Sequence, residues 1–143
     1  MPQILKEAIV PYPAETMFNL VTDIAAYPEF LPWCSKVVIH SHSETETDAT
    51  LFVQKGWVKF SFRTRNTNQR PSCTTMELLE GPFQQLNGKW EFFPLGGEKE
   101  KGTKIRFSLE YVFANLALNM TFNPVMEKLA NTFLEAFCYK AQN

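Results

Sequence analysis

The sequence predicts an α+β domain in which a curved antiparallel sheet of about six or seven strands wraps around one long C-terminal helix, with two short helices after the first strand. Three observations carry that expectation. Residues 103–113 set Thr103, Ile105, Phe107, Leu109, Tyr111 and Phe113 against Lys104, Arg106, Ser108 and Glu110, the period of a strand with one wet face. Residues 115–141 space Met126, Leu129, Phe133 and Phe137 three or four apart, the stripe of a helix. Between the first strand and the others runs Tyr12–Cys34, which starts as a helix and ends in the apolar turn Tyr27-Pro28-Glu29-Phe30-Leu31-Pro32-Trp33-Cys34.

Each element has its own reason. Residues 3–10 read as a strand, although Ile4, Leu5, Ala8, Ile9 and Val10 occupy both parities and leave the buried face open. Residues 13–25 read as the first helix: Pro13 suits the first helical position, Glu15 suits the positive helix end, and Met17, Leu20, Val21 and Ile24 recur at helical spacing. Residues 26–32 form a short second helix, limited by Pro28 and Pro32. Strands follow over 35–44, 48–55, 57–67, 73–80 and 85–93, and Pro94–Gly102 reads as a hairpin connection. Pro124 is expected to kink the last helix or to mark its true start, with Asn123 as the cap.

Composition narrows the classes. The chain has 143 residues, suited to a single domain over 1–143, and its 13 Phe, 3 Trp and 4 Tyr predict an interior lined by rings. A net charge of −1 does not announce a nucleic-acid binder, and no DNA partner is expected. Three cysteines without a CxxC pair suit a reduced cytosolic protein better than a disulfide frame or a zinc site. The N-terminus has no secretory pattern and no apolar run is long enough to span a bilayer, so a cytoplasmic location is expected.

The order of elements resembles the helix-grip, or START-like, superfamily of lipid-transfer and Bet v 1-type proteins. Within it the chain is similar to the coenzyme Q-binding and RatA-type ribosome association toxin family, also labelled polyketide cyclase/dehydrase. The residues that carry this are Tyr12-Pro13-Ala14-Glu15 with Met17-Phe18, the Tyr27–Cys34 segment, Phe62-Arg63-Thr64-Arg65-Asn66, Gly81-Pro82-Phe83 with Leu86, Gly88, Trp90 and Phe92, and the Phe107–Phe113 strand. One departure lies near the end, where the family's Phe-x-x-Arg-Ala reads Phe137-Cys138-Tyr139-Lys140-Ala141; lysine keeps the charge and loses the fork of donors.

The first candidate site is an apolar cavity of a few hundred Å³, about the size of an ordinary ligand pocket. Val58, Phe60, Phe62, Met76, Leu78, Trp90, Phe92, Phe107, Leu109 and Tyr111 would wall it from the sheet and Met126, Leu129 and Phe133 from the helix; Phe30, Leu31 and Trp33 would guard an entrance. The residues alone read as readily as a filled core; the resemblance favours a hollow. The second is a basic face made by Lys55, Lys59, Arg63 and Arg65 on the parity of Trp57, a set that suits RNA or anionic headgroups and equally an ordinary solvated strand. His40 and His42, two apart on one strand face, lack the further ligands a metal site needs, and no metal is expected. Cys34 has no placed base and reads as a small buried thiol. Glu80 and Glu110 are the acids a cyclase-like pocket would use, but Glu110 lies on the polar parity.

The resemblance implies a non-enzymatic binder of a hydrophobic ligand, ubiquinone or another polyprenyl lipid, supporting respiratory electron transport with no required cofactor. The head group is expected at the polar rim beside Arg65, with transient contact to a membrane surface. Its alternative is a ribosome association toxin that binds the large ribosomal subunit and blocks 70S assembly, using the face with Lys55, Trp57, Lys59, Arg63 and Arg65.

Overall fold

The computed structural model describes residues 3–96 and 102–142. The order is β1 (Gln3–Val10), α1 (Ala14–Thr22), a 3-10 turn (Ile24–Ala26), α2 (Tyr27–Phe30), β2 (Cys34–His42), β3 (Glu46–Lys55), β4 (Val58–Gln69), β5 (Cys73–Glu80), β6 (Phe83–Leu95), β7 (Gly102–Phe113) and α3 (Leu116–Ala141). The seven strands form one antiparallel sheet in the order β1-β7-β6-β5-β4-β3-β2. Helix α3 lies against α1, β1 and β7, so the sheet's inner face is covered by the long helix, as the fold class requires.

Strand parity settles which side chains face inward. On β7 the expected set Thr103 to Phe113 is buried at every second position. Strand β1, ambiguous in sequence, turns Ile4 and Val10 inward and leaves Leu5 and Ile9 in solvent. On β3 the inward residues are Thr47, Ala49, Leu51 and Val53, and their partners Asn66, Thr64, Phe62 and Phe60 face inward from β4. Strands β3, β4 and β6 run further than the sequence pattern reaches. Strand β6 continues through Pro94 and Leu95, which pair with Thr103 and Gly102, so the expected connection shrinks to residues 96–101, of which 97–101 lie outside the described residues.

The last helix begins earlier than Pro124 suggests. Asn115 caps it, its Oδ1 accepting from the Leu118 N–H at 2.9 Å, and Asn119 Oδ1 accepts from the Phe113 N–H at 2.9 Å, binding the helix start to the end of β7. One side-chain cap and one side-chain tie to β7 therefore hold the turns that precede the proline, and Pro124 lies inside the helix. Asn123 is not the cap; its Oδ1 is buried without a hydrogen-bond partner. Pro13 likewise precedes α1 as its flanking residue rather than opening it, a one-residue difference.

Rings dominate the interior. Phe133 of α3 meets Tyr27, Trp33, Trp90 and Phe107 edge to face with centroids 5.2 to 5.8 Å apart. Such pairs each add about 0.5–1.5 kcal/mol beyond burial. Tyr27, in the apolar turn, donates its hydroxyl to the Val21 carbonyl, and burial raises its ionisation far above the ordinary tyrosine range. That bond and the contact with Phe137 clamp α2 between α1 and α3.

Candidate functional site

Among the described residues, the interior beneath α3 shows two small voids and no pocket of the expected size. The first, about 40 Å³, is walled by Trp33, Val53, Phe60, Phe62, Met76, Leu86, Phe107, Leu109, Met126, Leu129, Ala130 and Phe133. The second, about 30 Å³, lies among Val21, Ile24, Tyr27, Leu51, Thr64, Asn66 and Trp90, and shares Trp33, Phe62, Met76 and Phe133 with the first. Together they hold far less than a pocket of a few hundred Å³, because the rings occupy the space. The structure thus brings together Trp33, Phe60, Phe62, Met76, Trp90, Phe107, Leu109, Met126, Leu129 and Phe133 of the expected set. Phe30, Leu31, Val58, Leu78, Phe92 and Tyr111 line neither void.

The expected entrance is packed shut. Leu31 and Trp33 are buried, and Phe30 stands edge to face with Tyr27 and Phe137. Lys140 lies 5.9 Å from the Phe30 ring centroid, so the lysine that replaces the family's arginine still places its charge over this segment.

Sequence reasoning missed Val53, Leu86 and Ala130. Val53 was available from the alternation of β3. Leu86 was harder, since an irregularity between Phe83 and Gln85 shifts the parity of β6. The polar end of the interior was also missed. Thr64 and Asn66 face inward beside the second void, and Thr64 Oγ1 donates to Asn66 Oδ1 at 2.9 Å. Close by on the same strand, Asn68 Oδ1 accepts from Thr74 Oγ1 at 2.6 Å. Against this paired background Trp33 stands out, because its Nε1–H is buried with no acceptor. A buried donor left so costs about 1–3 kcal/mol.

The outer face is less basic than the sequence implies. Arg63 holds Asp48 with a two-pronged contact at 2.7 and 2.8 Å and approaches Glu80 at 3.8 Å. Arg65 pairs with Glu46 at 3.2 Å. These acids lie far away in sequence and arrive by strand pairing. The Arg63 guanidinium beside Asp48 holds the carboxyl below the ordinary range.

Trp57 does not lie on the strand face. It occupies the two-residue turn Gly56-Trp57 that joins β3 to β4, where Lys55 pairs with Val58. Gly56 has φ +63° and Trp57 does not have positive φ, the pattern of a hairpin turn with glycine first. The turn thrusts the indole into solvent at 81% exposure. Lys55 and Lys59 flank it, and among the described residues neither meets a carboxylate.

The remaining candidates separate. An irregularity between Ile39 and Ser41 turns the two histidines to opposite faces: His40 bonds Thr50 at 2.7 Å on the outer side, and His42 bonds Thr47 at 2.9 Å on the inner side. No cluster of three or more potential metal ligands occurs among the described residues. Burial pushes the Cys34 thiol up to about 11, offset in part by the Lys36 backbone, and the thiol donates to the Lys36 carbonyl at 3.8 Å. Glu110 accepts from Gln3 on the outside, and Glu80 is turned to solvent beside Arg63.

A seven-stranded antiparallel sheet holding a long C-terminal helix over an apolar, ring-lined interior defines a helix-grip, START-like protein. Residues 10–138 match the family described as polyketide cyclase / dehydrase and lipid transport, and the chain belongs to that family. It is 40% identical over 139 residues to the ribosome association toxin RatA of Pseudomonas aeruginosa, covering 97% of this chain and 94% of that protein. To RatA of Escherichia coli K12 it is 37% identical over 142 residues, with 99% and 88% covered. A more distant similarity, 23% over 135 residues, joins it to the mitochondrial coenzyme Q-binding protein COQ10 of Drosophila melanogaster, covering 91% of this chain and 56% of that protein. Among solved structures, the Zhui aromatase/cyclase of Streptomyces sp. R1128 superposes with a TM-score of 0.87 at 17% identity, with 99% and 93% covered.

These findings correct the expectation of a non-enzymatic protein. The family's description names cyclases and dehydrases, and an aromatase/cyclase shares this fold, so the family is not confined to non-enzymatic proteins. No helix among the described residues is long and apolar enough to cross a membrane.

Proposed function

We propose that this protein associates with the large ribosomal subunit through the tip of its β3–β4 hairpin and keeps the small subunit from joining. The observation that carries this reading is Trp57, an indole standing in solvent between two lysines that meet no acid among the described residues. Exposing a large ring costs hydration free energy without a partner, and a ring beside cations matches an RNA surface: lysines neutralise phosphates while the indole stacks on a base. The RatA proteins that resemble this chain over nearly its whole length support the same reading by their name. Arg63 and Arg65 contribute less, since Asp48, Glu80 and Glu46 already neutralise them.

The test is sedimentation of purified subunits with and without the protein. The 70S peak should fall on its addition, and the Lys55→Glu/Lys59→Glu double variant should restore it. A charge-reversed protein that still keeps the subunits apart overturns the assignment of this tip.

A second reading is an apolar guest held between the sheet and α3, of which a polyprenyl quinone is one example. The paired voids and the unpartnered Trp33 donor favour it. The two readings use different surfaces and are compatible.

A further inference from the structure

We propose that Trp33 Nε1–H is the recognition donor of an internal acceptor site. In this site the two voids join into one chamber, and the indole holds a carbonyl-type oxygen of a compact, otherwise apolar guest. The inference deepens the apolar-guest reading and is independent of the ribosome reading.

The argument starts from what the neighbouring polar groups do. Thr64 donates to Asn66, Thr74 donates to Asn68, and Tyr27 donates to the Val21 carbonyl. Each buried side-chain donor around Trp33 has an acceptor within the protein. Trp33, only 4% exposed, has none. Its edge-to-face contact with Phe133 supplies no lone pair. A phenylalanine at this position would fill much of the same space without burying a donor. An indole here is satisfied only by an acceptor that enters from outside.

The surroundings say which acceptor. Trp33 walls both voids, so an entering group in either one meets the indole. Water is a poor occupant of the first, because it wants two to four polar partners and every other wall residue there is apolar. The second void adds Thr64 and Asn66 to the wall, polar side chains that the first lacks. One free donor near a polar end of an otherwise apolar chamber fits a guest with acceptor oxygen at one end and hydrocarbon at the other.

The partition between the voids is made of side chains. Trp33, Phe62, Met76 and Phe133 line both, so these four residues stand between the two spaces. Met76 is unbranched and adapts readily. It also sits against the one inward position of β6 that carries no side chain, since a Cβ on Gly88 would lie 3.1 Å from the Met76 methyl. Rotation of Met76 and Phe133 joins the two spaces without breaking a strand pair.

The test uses two shape-matched probes, 2,3-dimethyl-1,4-naphthoquinone and 2,3-dimethylnaphthalene, which share a ring skeleton and differ in the acceptor oxygens. Both are titrated into ¹⁵N-labelled protein while the indole N–H resonances are followed; the variant Trp33→Phe identifies the Trp33 signal. The quinone should shift that signal downfield and the hydrocarbon should not. Quinone affinity should fall about three- to tenfold in Trp33→Phe, the scale of one neutral hydrogen bond, while hydrocarbon affinity stays within about twofold. If that variant does not fold, the wild-type signal, assigned through contacts to the Phe133 ring protons, decides the matter. A Trp33 resonance that the bound quinone leaves in place, or unchanged quinone affinity in the variant, overturns the donor role while leaving the hollow intact. Failure of both probes to bind overturns the apolar-guest reading with it, and the sedimentation test is untouched by either result.

Discussion

The Trp33 and Phe133 rings meet edge to face, 5.4 Å apart and 89° inclined, and both line each internal void. One ring comes from the apolar turn after α2 and the other from the middle of α3. The pair therefore couples the covering helix to the segment expected to guard the interior.

Phe133 is the center of that coupling, so its truncation should be costly. Phe133→Ala should lower stability by about 3–5 kcal/mol, read as a drop in the urea midpoint. Phe133→Leu should recover much of the loss. A Phe133→Ala variant within about 1 kcal/mol of wild type would mean that the ring cluster is not the core.

Acid should weaken the outer face. Arg63 lowers the Asp48 carboxyl below its ordinary value, and Arg106 and Lys104 do the same for Glu7. A carboxylate depressed in the folded state stabilises the fold above its unfolded pKa, near 4, and that contribution is lost as pH falls through the folded value. Urea midpoints measured from about pH 6 down to about pH 2 should therefore fall, and Asp48→Asn should fall less over the same window. Equal slopes for the two proteins would remove Asp48 from the account.

The Cys34 thiol should be the slowest of the three to react. It is buried and its ionisation is pushed up to about 11, leaving little thiolate near neutral pH. Limited labelling with N-ethylmaleimide, read by peptide mass spectrometry, should modify Cys34 only on denaturation. Labelling of Cys34 ahead of Cys73 would contradict the packing described.

A methyl group at residue 102 should loosen β1. A Cβ there would lie 2.7 Å from the Val10 carbonyl oxygen, which is backbone and cannot swing aside. Gly102→Ala should cost about 1–3 kcal/mol and speed amide exchange along β1, with β5 unaffected. Unchanged exchange in β1 would show that the strand end yields freely.

The fold was readable where one side-chain period persisted. Alternation along β7 and the stripe from Met126 to Phe137 gave the sheet strand and the gripped helix correctly. The start of α3 was not readable, because Pro124 is a strong local stop and the side-chain ties of Asn115 and Asn119 that override it depend on where β7 ends. The ion pairs were equally hidden. Asp48 lies fifteen positions from Arg63 and faces it through the β3–β4 pairing. The bulge that separates His40 from His42 leaves no mark on the pattern of β2. The residues that wall the interior were largely legible; the amount of empty space was not, because volume is a small difference between large side chains and the room the backbone allows.

Gly88 gives that difference a physical owner. Where its neighbours on β6 fill the concave surface, it leaves a dimple that the Met76 methyl occupies. The room inside is thus trimmed by a flexible thioether arm as well as by the rings, and exchanging these two residues would resize the void while keeping every strand in place.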